Sequence, residues 1–131
     1  SQKTVMTAIN KTKDNDNYVF NIALNYGSRQ ELVKATKEIA QDVKDGKLDI
    51  NDINEDTITS HLYTKNLPPV DLMIRTSGEQ RISNFMPWQL AYAEFIFTPT
   101  HWPDFTKEEL RKCFKEFLNR DRRFGGIKDE K

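Results

Sequence analysis

Residues 18–24, Tyr-Val-Phe-Asn-Ile-Ala-Leu, constrain the fold more than any other stretch of the chain. They are β-rich and nearly all apolar, whereas a strand with one wet face would alternate apolar and polar positions. A strand apolar on both sides reads as one covered on both faces of a parallel sheet. Lys13-Asp-Asn-Asp-Asn17 just ahead of it is a strong turn signal. Two further apolar runs, Val70 to Ile74 and Phe95 to Thr98, read as the second and third strands.

Helical periods fill the intervals. Val5, Met6 and Ile9 sit at helical spacing at the start of the chain. After Asn25-Tyr-Gly-Ser, the positions Leu32, Thr36, Ile39, Ala40 and Val43 define a one-faced helix that stops near Gly46. A shorter helix is expected over about 55–63, before Pro68-Pro69 interrupts. Another lies within 84–93, where Pro87 suits only a first turn. Thr106, with Glu109 three residues on, reads as the capping box of a last helix, with Leu110, Cys113, Phe114, Phe117 and Leu118 as its buried stripe. Strand and helix therefore alternate, the pattern of an α/β layer with a mostly parallel sheet flanked by helices. In such sheets ligands sit beyond the carboxyl ends of the strands, which points to the loops at Asn25-Tyr-Gly and Arg75-Thr-Ser-Gly.

A chain of 131 residues holds one domain and not two. Twenty basic residues against twenty acidic ones give a net charge of zero, which argues against a general nucleic-acid binder. The acidic run over 42–56 reads as a solvated face. The single cysteine, Cys113, excludes an internal disulfide, fits a reducing cytoplasm, and falls on the apolar stripe of the last helix. No apolar run approaches the ~20 residues needed to cross a bilayer, and contact with a membrane surface stays open.

The loop after the second strand carries the chemistry. Asp71-Leu-Met-Ile-Arg-Thr-Ser-Gly-Glu-Gln-Arg-Ile-Ser-Asn-Phe85 presents Arg75, Arg81 and Ser83 within nine residues. Two guanidiniums, a hydroxyl and several loop N–H groups suit a phosphate or diphosphate, because the guanidinium fork matches its oxygens. From spacing alone, two surface arginines near a turn account for the pattern equally well. Glu94 stands in the apolar stretch Ala91-Tyr-Ala-Glu-Phe-Ile-Phe97 and needs a partner, an arginine or a cation. Arg123-Phe-Gly125 reads unaided as a basic tail after a helix. His61 and His101 lack metal-ligand spacing and read as structural. Trp88, Tyr92, Trp102 and Phe105 read as core or interface aromatics.

Arg75-Thr-Ser-Gly-Glu-Gln-Arg-Ile-Ser-Asn-Phe85, Trp88-Gln-Leu-Ala-Tyr-Ala-Glu-Phe95, Trp102-Pro-Asp-Phe105 and Arg122-Arg-Phe-Gly-Gly126 together resemble the cis-prenyltransferases, nearest to the bacterial branch that makes undecaprenyl diphosphate. The resemblance runs from about Val19 to Gly126, with Asn25-Tyr-Gly-Ser-Arg29 as a further match. It implies an enzyme that condenses isopentenyl diphosphate onto an allylic diphosphate such as farnesyl diphosphate, for the carrier lipid of bacterial wall synthesis. Arg75, Arg81, Ile82 and Ser83 would hold isopentenyl diphosphate, with Arg123 and Gly125 reaching that diphosphate across a homodimer interface. Glu94 would bind Mg²⁺, shared with a catalytic aspartate, and would come from the neighbouring subunit. Gln80 departs from the histidine some members carry near the metal and is not assigned to it. The family's Asp-Gly-Asn-Gly-Arg loop with that aspartate is missing, so residues 1–131 read as the C-terminal part of a single domain, with no catalytic residue and no activity alone. The competing reading is a non-catalytic partner subunit of a two-component cis-prenyltransferase. An intact arginine–serine set and Glu94 argue against it.

Overall fold

The computed structural model describes residues 2–126. Its helices are α1 (Gln2–Thr12), α2 (Ser28–Lys44), α3 (Glu55–Thr59) and α4 (Lys107–Leu118), and its strands are β1 (Leu72–Arg75) and β2 (Glu94–Phe97). The strands pair in parallel, with Leu72 opposite Glu94 and Arg75 opposite Phe97. Main-chain bonds from Glu94 to Asp71 and from Thr98 to Arg75, both 2.9 Å, extend the ladder at either end. The buried apolar residues are Ala35 and Ile39 of α2, Leu62, Met73 of β1, Leu90, Ile96 of β2 and Cys113 of α4. A parallel sheet flanked by helices is thus what the alternating pattern builds, and Cys113 is the core residue its stripe implied.

Several elements depart from expectation. Residues 18–24 take no regular secondary structure and pair with no strand, leaving Tyr18 91% and Phe20 90% exposed. A strand is defined by its neighbours, and no other segment among the described residues lies alongside this one. In keeping with that, the chain presents 11201 Å² of surface, where a compact chain of its length would present roughly 7,200 Å². The short helix at 55 ends at Thr59 and is started by an Asn54–Thr57 capping box. Residues 84–93 form successive turns instead of a helix, because Asn84 and Met86 take left-handed backbone at φ 64° and 54° and Pro87 has no N–H to donate.

Two helix faces are also rotated from their apolar periods. In α2 the buried positions are Ser28, Glu31, Ala35 and Ile39, while Thr36 and Ala40 face outward. In α4 Phe114 and Leu118 are exposed. Thr106 caps α4 by accepting from the Glu109 N–H at 3.3 Å. The Glu109 carboxylate pairs with Lys112 and accepts from Thr100, so only half of the capping box is made.

Candidate functional site

Arg75 ends β1, and its guanidinium crosses the loop that follows. Its Nη1 donates to the Arg81 carbonyl and reaches Ser83 Oγ at 3.4 Å. The loop is fixed at both ends. Ser77 and Gly78, in left-handed backbone, donate their N–H groups to Thr100 and Thr98 beyond β2, at 2.8 and 2.9 Å. Ser83 and Asn84 occupy the centre of a turn closed by a 2.9 Å bond from Phe85 N–H to the Ile82 carbonyl, with positive φ at both central positions. Ile82 is half-buried and anchors this turn, whereas Ser83 is exposed. An exposed hydroxyl beside a tethered guanidinium at a strand's carboxyl end is a usable anion site. The helix expected within 84–93 is a run of turns, so Ser83 does not begin a helix and no helix N-terminus faces this site.

Arg81 contributes its carbonyl to this cluster and not its charge. Its side chain, 63% exposed, pairs with Glu79. The two guanidiniums expected to converge are therefore held on different partners.

Asn25-Tyr-Gly-Ser lies beside this loop, although no paired strand leads into it. Asn84 accepts from the N–H groups of Ser28 and Arg29, which joins the loop to the start of α2. The signal for that junction, a remote asparagine serving a helix whose own cap is a glycine, is absent from local sequence. Below it sits Glu31, 1% exposed, whose carboxylate accepts from Tyr26, Gln89 and the Tyr63 N–H.

Glu94 stands at the other end of the strand pair. Three residues separate the Leu72–Glu94 and Arg75–Phe97 rungs, which is about 10 Å along a strand. Arg120, from the end of α4, donates Nη1 to Glu94 Oε2 at 3.0 Å and to the Phe95 carbonyl at 2.8 Å, and Nη2 to Glu116 at 2.5 Å. Asp71, at the same end, pairs with Arg122 at 2.7 Å. Arg122 also lies over the Phe124 ring, 4.5 Å from its centroid. Arg123, exposed, and Gly125, at φ 77°, follow on this edge. A Cβ on Gly125 would come 3.8 Å from Tyr92. One chain therefore brings Arg75, Ser83 and the Arg81 backbone together, and at the other end of the strands pairs Glu94 with Arg120 and Asp71 with Arg122.

The donor set for a metal is partial. Arg120 occupies one oxygen of Glu94, and the other has no hydrogen-bond partner among the described residues. No group of three His, Cys, Asp or Glu side chains converges among them. Glu94 fits the role of one ligand to a hard cation and no more.

His61 is structural, as expected: Nδ1 meets the Thr57 carbonyl at 2.7 Å and Nε2 the Asp42 carboxylate at 3.2 Å. Trp88 donates to Thr59 at 3.2 Å, while Trp102 is 72% exposed and stacks on Phe105. No helix among the described residues is long and apolar enough to cross a membrane.

A sequence model of undecaprenyl diphosphate synthases matches residues 1–125. The chain is 54% identical over 127 residues to an isoprenyl transferase of Clostridium perfringens, covering 97% of this chain and 50% of that protein. It is 54% identical over 134 residues to a (2E,6E)-farnesyl-diphosphate-specific ditrans,polycis-undecaprenyl-diphosphate synthase of Lactiplantibacillus plantarum, covering 100% of this chain and 52% of that one. Among solved structures, lavandulyl diphosphate synthase of Lavandula x intermedia, in complex with dimethylallyl diphosphate, superposes with a TM-score of 0.88 at 39% identity. That match covers 95% of this chain and 53% of the other. A probable undecaprenyl diphosphate synthase of Campylobacter jejuni gives 0.74 at 37% identity, covering 95% and 55%. The chain spans about half the length of the curated relatives it matches.

Proposed function

Because the chain belongs to the undecaprenyl diphosphate synthase family of prenyltransferases, we propose that it supplies the isopentenyl diphosphate site of a cis-prenyltransferase. The protein it forms part of condenses that substrate repeatedly onto farnesyl diphosphate, and the product serves as the carrier lipid of bacterial wall synthesis. The observation that carries the proposal is the reach of Arg75 across its loop to Ser83 at the carboxyl end of β1. A diphosphate bears about three negative charges near neutrality, and taking it out of water requires fixed charge-assisted donors. Arg75 is held by the Arg81 carbonyl and needs little reorganisation. Arg81 exchanges Glu79 for the ligand, and Ser83 Oγ supplies a neutral donor. Held there, the substrate's alkene is aimed in line at the allylic carbon.

Glu94, Arg123 and Gly125 complete the site from a second copy of the chain. What supports this for Glu94 is its placement about 10 Å along the strands from Arg75 in its own copy. Glu94 would hold Mg²⁺ through the oxygen Arg120 leaves open. When bound, that ion stabilises the charge of the departing allylic diphosphate. The 131 residues contain no Asp-Gly-Asn-Gly-Arg loop, and by this reading they give no turnover on their own.

The test is incorporation of radiolabelled isopentenyl diphosphate by the complete protein and by its Arg75→Ala variant. Loss of incorporation with the fold retained supports the proposal. Undiminished incorporation by the variant overturns the Arg75 site, and absence of incorporation by the complete protein itself favours a non-catalytic partner subunit.

A further inference from the structure

Helix α2 starts without a cap of its own. Its N-cap is Gly27, which has no side chain to accept from the first helical N–H groups. Those groups are satisfied from 55 residues away. Asn84 accepts from the Ser28 N–H through its main-chain oxygen at 2.9 Å and from the Arg29 N–H through Oδ1 at 3.0 Å. It does so in left-handed backbone, φ 64°, a region asparagine tolerates better than most residues. Gly27 is fitted to this contact, since a Cβ there would lie 3.0 Å from Asn84 Nδ2.

From this junction we infer that Asn84 is a positioning residue for the anion site, bolting the Ile82–Phe85 turn to α2 so that Ser83 Oγ stays within reach of Arg75. The inference rests on the diphosphate reading of that site. Ser83 and Asn84 share one turn, so a shift of Asn84 carries the hydroxyl with it. The lever is stiff, because α2 is itself anchored by the buried Glu31 carboxylate. The two α2 amides are consumed by Asn84, so they act on the ligand only through the loop.

Two substitutions release the bolt from opposite sides. Asn84→Gly keeps the left-handed backbone and removes Oδ1. Gly27→Ala leaves the loop sequence intact and pushes against Asn84 Nδ2, at a φ of −150° that alanine accepts. In steady-state assays of the complete protein, each should raise the KM for isopentenyl diphosphate about tenfold, the weight of one well-made hydrogen bond. The KM for farnesyl diphosphate should stay within about twofold. Arg75→Ala is run alongside. If it raises the KM for isopentenyl diphosphate and neither Asn84→Gly nor Gly27→Ala does, Asn84 is only a helix cap and the inference falls while the site reading stands. If Arg75→Ala also leaves that KM unchanged, both fall. Should Asn84→Gly not fold, Gly27→Ala decides alone.

Discussion

Tyr26 donates a 2.6 Å hydrogen bond to Glu31, a carboxylate that is almost wholly buried. Burial, reinforced by that bond and the carboxylate's charge, pushes the phenol up to about 12. Tyr26 is therefore a permanent donor at ordinary pH. The same carboxylate accepts from Gln89 Nε2 at 3.0 Å and from the Tyr63 N–H at 2.8 Å, tying the loop before α2 to the turns after α3 and before β2.

That hub sets the first prediction. In Glu31→Leu three donors lose their acceptor inside the protein, and leaving buried polar groups unpaired costs about 3–5 kcal/mol in all. Glu31→Gln keeps the shape but turns an amide NH₂ toward a donor, and should cost about half as much. Urea unfolding of the complete protein measures both. A Glu31→Leu variant within about 0.5 kcal/mol of wild type would show that the network contributes nothing net.

Arg81 sits on Glu79 and not beside Arg75, yet its charge is placed to swing onto a ligand. Arg81→Ala should raise the KM for isopentenyl diphosphate roughly 30–150-fold, equivalent to ~2–3 kcal/mol for a lost charge-assisted contact. The KM for the allylic substrate should move far less. Equal changes in both constants would remove Arg81 from the homoallylic site.

For Glu94 the rival roles are metal ligand and ion-pair member with Arg120. Glu94→Gln keeps a neutral acceptor for Arg120 at a part-exposed site, so the melting temperature should change little. The Mg²⁺ concentration giving half-maximal activity should rise about tenfold, because an amide is a poorer ligand for a hard cation. A variant that melts early at an unchanged Mg²⁺ optimum would make Glu94 purely structural.

His61 gives the chain a pH dependence. The Thr57 carbonyl and the Asp42 carboxylate favour the charged ring and raise its pKa above 6.5. A raised folded-state pKa contributes stability that is full below the unfolded value and is lost as pH rises through the folded one. Denaturant midpoints should therefore fall from about pH 6 to about pH 8, and His61→Asn should flatten that part of the curve. An unchanged slope in the variant would assign the dependence to other groups.

Much of this was legible from residue order. The ends of α2, the start of α4, the two paired strands and the Arg75 loop follow from apolar period and turn chemistry, which are local. What escaped depends on partners far along the chain. Glu31 lies on the buried face of α2, so a period drawn from apolar residues alone rotates that face to Thr36 and Ala40. Asn84 reads as a turn residue, and its service to a helix 55 residues away has no local trace. Tyr18 to Leu24 has every strand property except a neighbour. Glu94 and Arg75 are 19 positions apart, and only the parallel register assigns them to opposite ends of the sheet.

The apolar run over 18–24 also sets a race. It carries no charge and no proline across seven residues, the composition that stacks copies of itself edge to edge. Docking within one protein is first order and does not depend on how much protein is present. Pairing of two such ribbons is second order and accelerates with concentration. Recovery of active material after denaturation should accordingly improve on dilution, and a charged substitution at Phe20 should relieve that dependence only where the ribbon has nothing of its own to lie against.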